Sequence, residues 1–137
     1  MSNTDEIRWQ QRLSNFGKAM SQLQVACDMD EYSILERAGL VKIFEFTFEL
    51  AWKTLKDLLF IEGYDEKSPR SVIRKSFEME YLSEEDTEVF LDALKKRNLL
   101  SHTYEEETAE MALKLIRETY FPVLQRTYSI LKDKQKA

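Results

Sequence analysis

The sequence predicts an all-α fold, an up-and-down bundle of four main helices plus one short helix, and three observations lead to that expectation. Only three glycines and two prolines interrupt 137 residues, too few breakers for a chain with many turns. Apolar side chains recur at three- and four-residue spacing over long runs. No segment rich in β-branched residues alternates polar with apolar, so no strand is expected. The length suits a single domain, 1–137, with an ordered core over about 5–131.

The first helix is marked by Trp9, Leu13, Phe16, Met20, Leu23 and Cys27, spaced four, three, four, three and four on one stripe. Ser2 or Thr4 is a candidate cap at its start. Cys27 on that stripe reads as a small apolar residue, since nothing basic flanks it to favour the thiolate.

The second helix is expected from about Ser33 to Glu62, stopped by Gly63. Its centre, Ile43 to Lys53, is apolar on nearly every side. Such a helix needs cover all round, and a small bundle offers it on one face only. A homodimer packed partly through this helix is therefore expected.

Ser68-Pro69 opens a short third helix, with Ser68 as cap and proline at the first helical position. Val72, Ile73 and Phe77 form its inner face. Ser83 followed by Glu84, Glu85 and Asp86 is a second start signal. The fourth helix carries Phe90, Leu91 and Leu94 inward and reaches about Leu100. The chain turns around Thr103 to Glu107, and a long last helix then carries Leu113, Ile116, Tyr120, Leu124, Thr127 and Leu131. Pro122 inside it predicts a kink or one missing backbone bond, and the polar tail Lys132–Ala137 is expected to fray.

The net charge of −5 gives no global attraction to phosphate, which weighs against a dedicated nucleic-acid scaffold without excluding an enzyme that handles RNA briefly. One cysteine cannot form an intrachain disulfide, so a reducing compartment is expected. The first residues lack the basic-then-apolar pattern of a signal peptide, and the most apolar stretch, Leu40 to Ile61, carries six charges. A cytoplasmic protein with no membrane span is the expectation.

Chemistry concentrates in one place. The single histidine lies in Lys95-Lys96-Arg97-Asn98-Leu99-Leu100-Ser101-His102-Thr103-Tyr104. Imidazole changes charge near neutral pH, which makes His102 the default acid or base. In a continuous helix Asn98 would share its face and orient the ring. Arg97 would sit about 140° away, so the two align only if the helix end distorts or the arginine reaches around. Lys95, Lys96 and Arg97 form the densest basic spot and suit a phosphate. On spacing alone the plainer explanation is stronger, since basic residues at a helix C-terminus also complement its dipole.

Glu45 and Glu49 sit one turn apart among aromatics and could serve a metal or a base, though Glu49 is also spaced to pair with Lys53, the commoner arrangement. The aromatics Phe44, Phe46, Phe48 and Trp52 could stack a base, but their scatter over several faces favours packing. Glu105–Glu107 read as acids opening a helix. No glycine-rich phosphate loop, cysteine cluster or serine nucleophile arrangement is present, so no metal site or cofactor is expected.

The segment Arg97-Asn98-Leu99-Leu100-Ser101-His102 resembles the HEPN motif, and its extension through Thr103 to Tyr104 resembles HepT-type toxins, which pair with MNT-type minimal nucleotidyltransferases. The segment Gly39 to Lys53 is similar to the signature stretch of nucleotidyltransferase substrate-binding proteins. The likeness covers nearly the whole chain, from about Asp5 to Leu131. It implies a helical homodimer in which two Arg/His motifs meet in a cleft. It further implies metal-independent RNA cleavage, with Arg97 on the scissile phosphate, His102 as acid or base and Asn98 in support. The partner nucleotidyltransferase would add AMP to Tyr104 and silence the site. The alternative is a non-catalytic adaptor that presents a nucleotide or other substrate to the nucleotidyltransferase.

Overall fold

A computed structural model describes residues 3–136, the side chain of Lys136 excepted. Helix α1 spans Asn3–Cys27, α2 Ile34–Ile61, α3 Pro69–Glu78 and α4 Glu84–Leu100. Helix α5 (Glu106–Leu115) passes through a π turn (Ile116–Tyr120) into α6 (Phe121–Lys136), so these three pieces make one long rod. The expected plan of four long helices and a short one is therefore present.

Local chemistry explains the boundaries. Ser33 caps α2 in a full capping box, its hydroxyl accepting from the Glu36 amide while the Glu36 carboxylate accepts from the Ser33 amide. Ser68 caps α3 and Ser83 caps α4. At the far end of α2, Gly63 takes a left-handed φ of 100°, and the Tyr64 amide reaches back to the Leu59 carbonyl at 2.8 Å. Glu80 does the same after α3 with φ 63°, a conformation that costs a non-glycine residue on the order of 1 kcal/mol. Thr4 lies within α1, and the other proposed cap, Ser2, falls outside the described residues.

Pro122 lacks an N–H and its ring crowds the carbonyl four residues back. The rod responds just ahead of it, where the Phe121 amide bonds to the Ile116 carbonyl five residues away. Helix α6 continues to Lys136 where fraying was expected, and Lys132 donates to Gln135 in that stretch.

Side-chain pairs give the directions. Arg12, early in α1, meets Asp57, late in α2, at 3.0 Å, so these helices are antiparallel. Phe16 packs edge-on to Tyr128 while Arg117 donates to the carbonyls of Cys27 and Met29, so the last rod runs antiparallel to α1. The Tyr120–Asp92 and Arg126–Asp86 pairs set α4 antiparallel to that rod. The core fills the space between, with Phe44 stacked on Tyr120 at 5.3 Å and Phe48 against Phe90. Five of the six residues on the predicted α1 stripe are buried. The sixth, Cys27, is half-buried, and desolvation pushes its thiol up to about 11, as suits a packing residue. Among the described residues no helix is long and apolar enough to cross a membrane.

Candidate functional site

Helix α4 delivers the basic motif and then stops. Its last turn ends at Leu100, Ser101 caps it, and the His102 amide bonds to the Leu99 carbonyl at 3.1 Å. Glu105 then closes a second turn onto the His102 carbonyl. His102 thus stands in an exposed turn beyond the helix. The face-sharing expected for Asn98 and His102 assumed a continuous helix, and the structure corrects it.

Tyr104 takes the place given to Asn98. Its hydroxyl lies 2.9 Å from His102 Nδ1, with ring centroids 5.5 Å apart. If the ring carries its proton on Nε2, the hydroxyl donates to Nδ1, and if on Nδ1, the phenolic oxygen accepts. Either tautomer leaves Nε2 for other chemistry. Tyr104 itself is 78% exposed.

The turn is tied down on its far side. Arg37 of α2 makes a two-pronged pair with Glu106, at 2.8 and 3.0 Å, just where α5 begins. The hydrogen bond from Arg37, and secondarily its charge, lowers the Glu106 carboxyl below its ordinary range. Among the described residues Arg37 Nε is buried without a hydrogen-bond partner, and the two terminal nitrogens carry the contact to Glu106.

Arg97 points elsewhere, into a groove between α2 and α4 with a cavity volume of about 250 Å³. Phe44 and Phe48 form its floor, Glu45 and Glu49 line the α2 side, and Arg97, Asn98 and Ser101 line the α4 side. Glu49 Oε1 lies 3.8 Å from the Arg97 guanidinium, an ion contact longer than a hydrogen bond. The other Glu49 oxygen accepts from Trp52 Nε1. The expected Glu49–Lys53 pair is thus replaced: Glu49 faces Arg97, and Lys53 Nζ sits 5.9 Å over the Trp52 ring. Tertiary packing brought α4 within reach, and a guanidinium outcompeted the local lysine.

Of the other basic residues, Lys96 is paired with Asp92 at 3.2 Å and Lys95 is exposed. Asp92 also accepts from the Tyr120 hydroxyl at 2.7 Å. Burial, and then the Asp92 hydrogen bond and charge, raise the Tyr120 hydroxyl far above its ordinary range. Lys96 therefore closes a structural chain before it can serve a phosphate.

The structure brings together His102 with Tyr104, and Arg97 with Asn98. His102 is not among the groove's lining residues, and the contacts of Arg97 and His102 run in different directions. Ser101 was not anticipated as part of a site, whereas Phe44 and Phe48, weighed as base-stacking residues, line the groove from below. Both phenylalanines are buried, in keeping with the packing role their spacing favoured. Among the described residues no group of three or more His, Cys, Asp or Glu is placed to hold a metal.

Comparison with proteins of curated function returns no match. A solved structure from Thermus thermophilus superposes with a TM-score of 0.79, at 30% identity, covering 85% of this chain and 98% of that one. The profile of the family described as nucleotidyltransferase substrate binding protein like matches residues 11–133. With nearly the whole bundle inside that match, the chain belongs to the nucleotidyltransferase substrate-binding-protein-like family.

Proposed function

We propose that this chain is the partner subunit of a minimal nucleotidyltransferase and carries a metal-independent RNA-cleaving site of the HEPN type at Arg97 and His102. The observation that carries the reading is the exposed turn after α4, where the only histidine meets the Tyr104 hydroxyl at 2.9 Å beside an arginine-lined groove.

The chemistry is transesterification. The ribose 2′-oxygen attacks phosphorus, its proton passes to an imidazole, and the bond from phosphorus to the 5′-oxygen breaks as that oxygen takes a proton. A 2′,3′-cyclic phosphate and a 5′-hydroxyl result. Arg97 stabilises charge on the phosphoryl oxygens, and His102 moves the proton. Asn98 supports Arg97 from the groove wall, and Lys95 adds a diffuse positive field.

In this reading two copies supply the arginine and histidine that one chain turns apart. The outer face of α2 supports a second copy there. Leu35, Gly39, Lys42 and Phe46 follow one another at four, three and four residues, and Leu35 is 83% exposed. Among the described residues a Cβ added to Gly39 would meet nothing within 4 Å, so the packing they show does not require a glycine in this second turn of α2. Close approach of another helix would.

When the Tyr104 oxygen attacks the α-phosphorus of ATP, the bond to pyrophosphate breaks and the phenolic proton is lost, which removes the proton shared with His102 and places a bulky phosphodiester at the site. The partner nucleotidyltransferase therefore silences the toxin by modifying Tyr104, as one half of a toxin–antitoxin pair. The test is expression without the partner. Wild type should arrest growth and cleave RNA, and His102→Ala should do neither. Equal harmlessness of the two ends the toxin reading. Intact mass after co-expression with the nucleotidyltransferase should show added AMP that Tyr104→Phe lacks.

The second reading, a non-catalytic adaptor presenting a nucleotide, is favoured by one contact: Glu49 occupies the guanidinium that a phosphate would need.

A further inference from the structure

The α2–α4 groove has a composition that phosphate binding alone leaves unexplained. Arg97 suits an anion, yet Glu45 and Glu49 line the opposite side of the same 250 Å³ cavity. Carboxylates beside a phosphate are unfavourable, so their presence asks for a ligand that is anionic at one end and rich in hydrogen-bond donors at the other. A nucleotide meets that description, with phosphate at one end and a base edge at the other.

The two carboxylates are not equivalent. Glu49 is committed, taking Trp52 Nε1 on one oxygen and facing Arg97 with the other. Among the described residues Glu45's one ion contact is a loose one with the exposed Lys42, at 3.7 Å. It lies one turn along α2 from Glu49 and lines the same groove, so a second carboxylate stands beside the one that faces Arg97. Asn98 lines the groove from α4 and offers an amide that can donate.

Among the four RNA bases only guanine presents two adjacent donors, N1–H and N2–H, next to an acceptor, O6. A carboxylate accepts both donors at once, and an amide N–H satisfies O6. Cytosine and adenine would set a ring acceptor against the carboxylate, and uracil would set a carbonyl there. A metal ion is a poorer occupant, because it would be repelled by Arg97 and would find no cluster of three protein ligands among the described residues.

We infer that the groove is a guanine-reading subsite, with Glu45 accepting from N1–H and N2–H, Asn98 donating to O6, and Arg97 holding the attached phosphate. This subsite rests on the proposed role of Arg97 and specifies which nucleotide that role serves. Glu49 is a positioning residue, holding the guanidinium against the Trp52-anchored side of the groove.

The experiment titrates GMP, AMP, CMP and UMP separately into the full-length protein and follows amide chemical shifts of α2 and α4. GMP should bind about tenfold more tightly than UMP, the discrimination expected of one good bidentate base contact. Glu45→Gln keeps the shape and removes the paired acceptor, so the GMP:UMP ratio should fall to within about twofold while UMP binding is unchanged. Arg97→Ala should weaken all four nucleotides alike. Equal binding of the four, no binding of any at millimolar concentration, or a ratio untouched by Glu45→Gln would each overturn the subsite. RNA cleavage that depends on His102 is scored in a separate assay, so loss of the subsite and loss of the ribonuclease reading give different results.

Discussion

The inner face of α2 and the turn after α4 use the same kinds of residue to opposite ends. On α2, Phe44 and Phe48 are buried, and each packs on an aromatic ring from another element. In the turn, His102 and Tyr104 are exposed and hold each other, tied to the bundle through Arg37 and Glu106. The first region is fixed by many weak contacts that no single substitution need abolish, the second by a few polar contacts of defined geometry. A defined arrangement at a helix end can thus rest on two or three hydrogen bonds, without burial.

Substitutions sharpen that contrast. Phe44→Ala should produce the largest change in stability, on the order of 3 to 5 kcal/mol, read as a lower midpoint in urea denaturation. A loss under about 1 kcal/mol would mean the aromatic cluster is less tightly packed than the structure shows.

Tyr120→Phe should have a smaller effect near neutral pH, about 1 kcal/mol, since Asp92 keeps Lys96 as a partner. Its signature is in alkali. Burial raises the Tyr120 hydroxyl and pushes Tyr81 up to about 12, whereas an unfolded tyrosine titrates near 10. Groups whose folded pKa is raised stabilise fully below the unfolded value and lose that contribution as pH climbs past it. Stability of the wild type should therefore decline above about pH 10, and Tyr120→Phe should decline less steeply because one such group is gone.

Gly39→Ala should stabilise the isolated chain by roughly 0.5 to 1 kcal/mol, since the added methyl meets open space and alanine is the better helix former. Sedimentation of the same variant examines the outer face of α2: dissociation at micromolar concentration that wild type resists would place a helix crossing at that glycine. A wild type that is monomeric there removes the dimer from the proposal.

His102→Ala should change stability least, within about 0.5 kcal/mol, while abolishing any RNA cleavage. Loss of both together would make the turn a structural element instead of a working one.

Much of the architecture was legible residue by residue. Ser33, Ser68 and Ser83 announced three helix starts and Gly63 one stop, because capping is decided within a turn of chain. The stop after α3 was not legible, since Glu80 occupies a left-handed position usually signalled by glycine. Pro122 announced a disturbance but not its form, because the π turn depends on which carbonyl remains for the Phe121 amide.

The site divided in the same way. Arg97, His102 and Tyr104 stood out from composition and motif, but their mutual geometry did not. Spacing arithmetic holds only while the helix continues, and α4 ends two residues before the histidine. Glu49 seemed destined for Lys53 until folding placed Arg97 opposite it.

The sequence by itself determined the helices, their order and the residue types available for chemistry, since periodicity and caps act over a few residues. Only the tertiary structure decided that Tyr104 holds the imidazole, that Arg97 opens onto an acid-lined groove, and that Lys96 is drawn into a structural chain. The groove turns on how α2 packs against α4, the Lys96 chain on Tyr120 arriving from the last rod to share Asp92, and the imidazole contact on where α4 stops, none of which spacing along a continuous helix supplies.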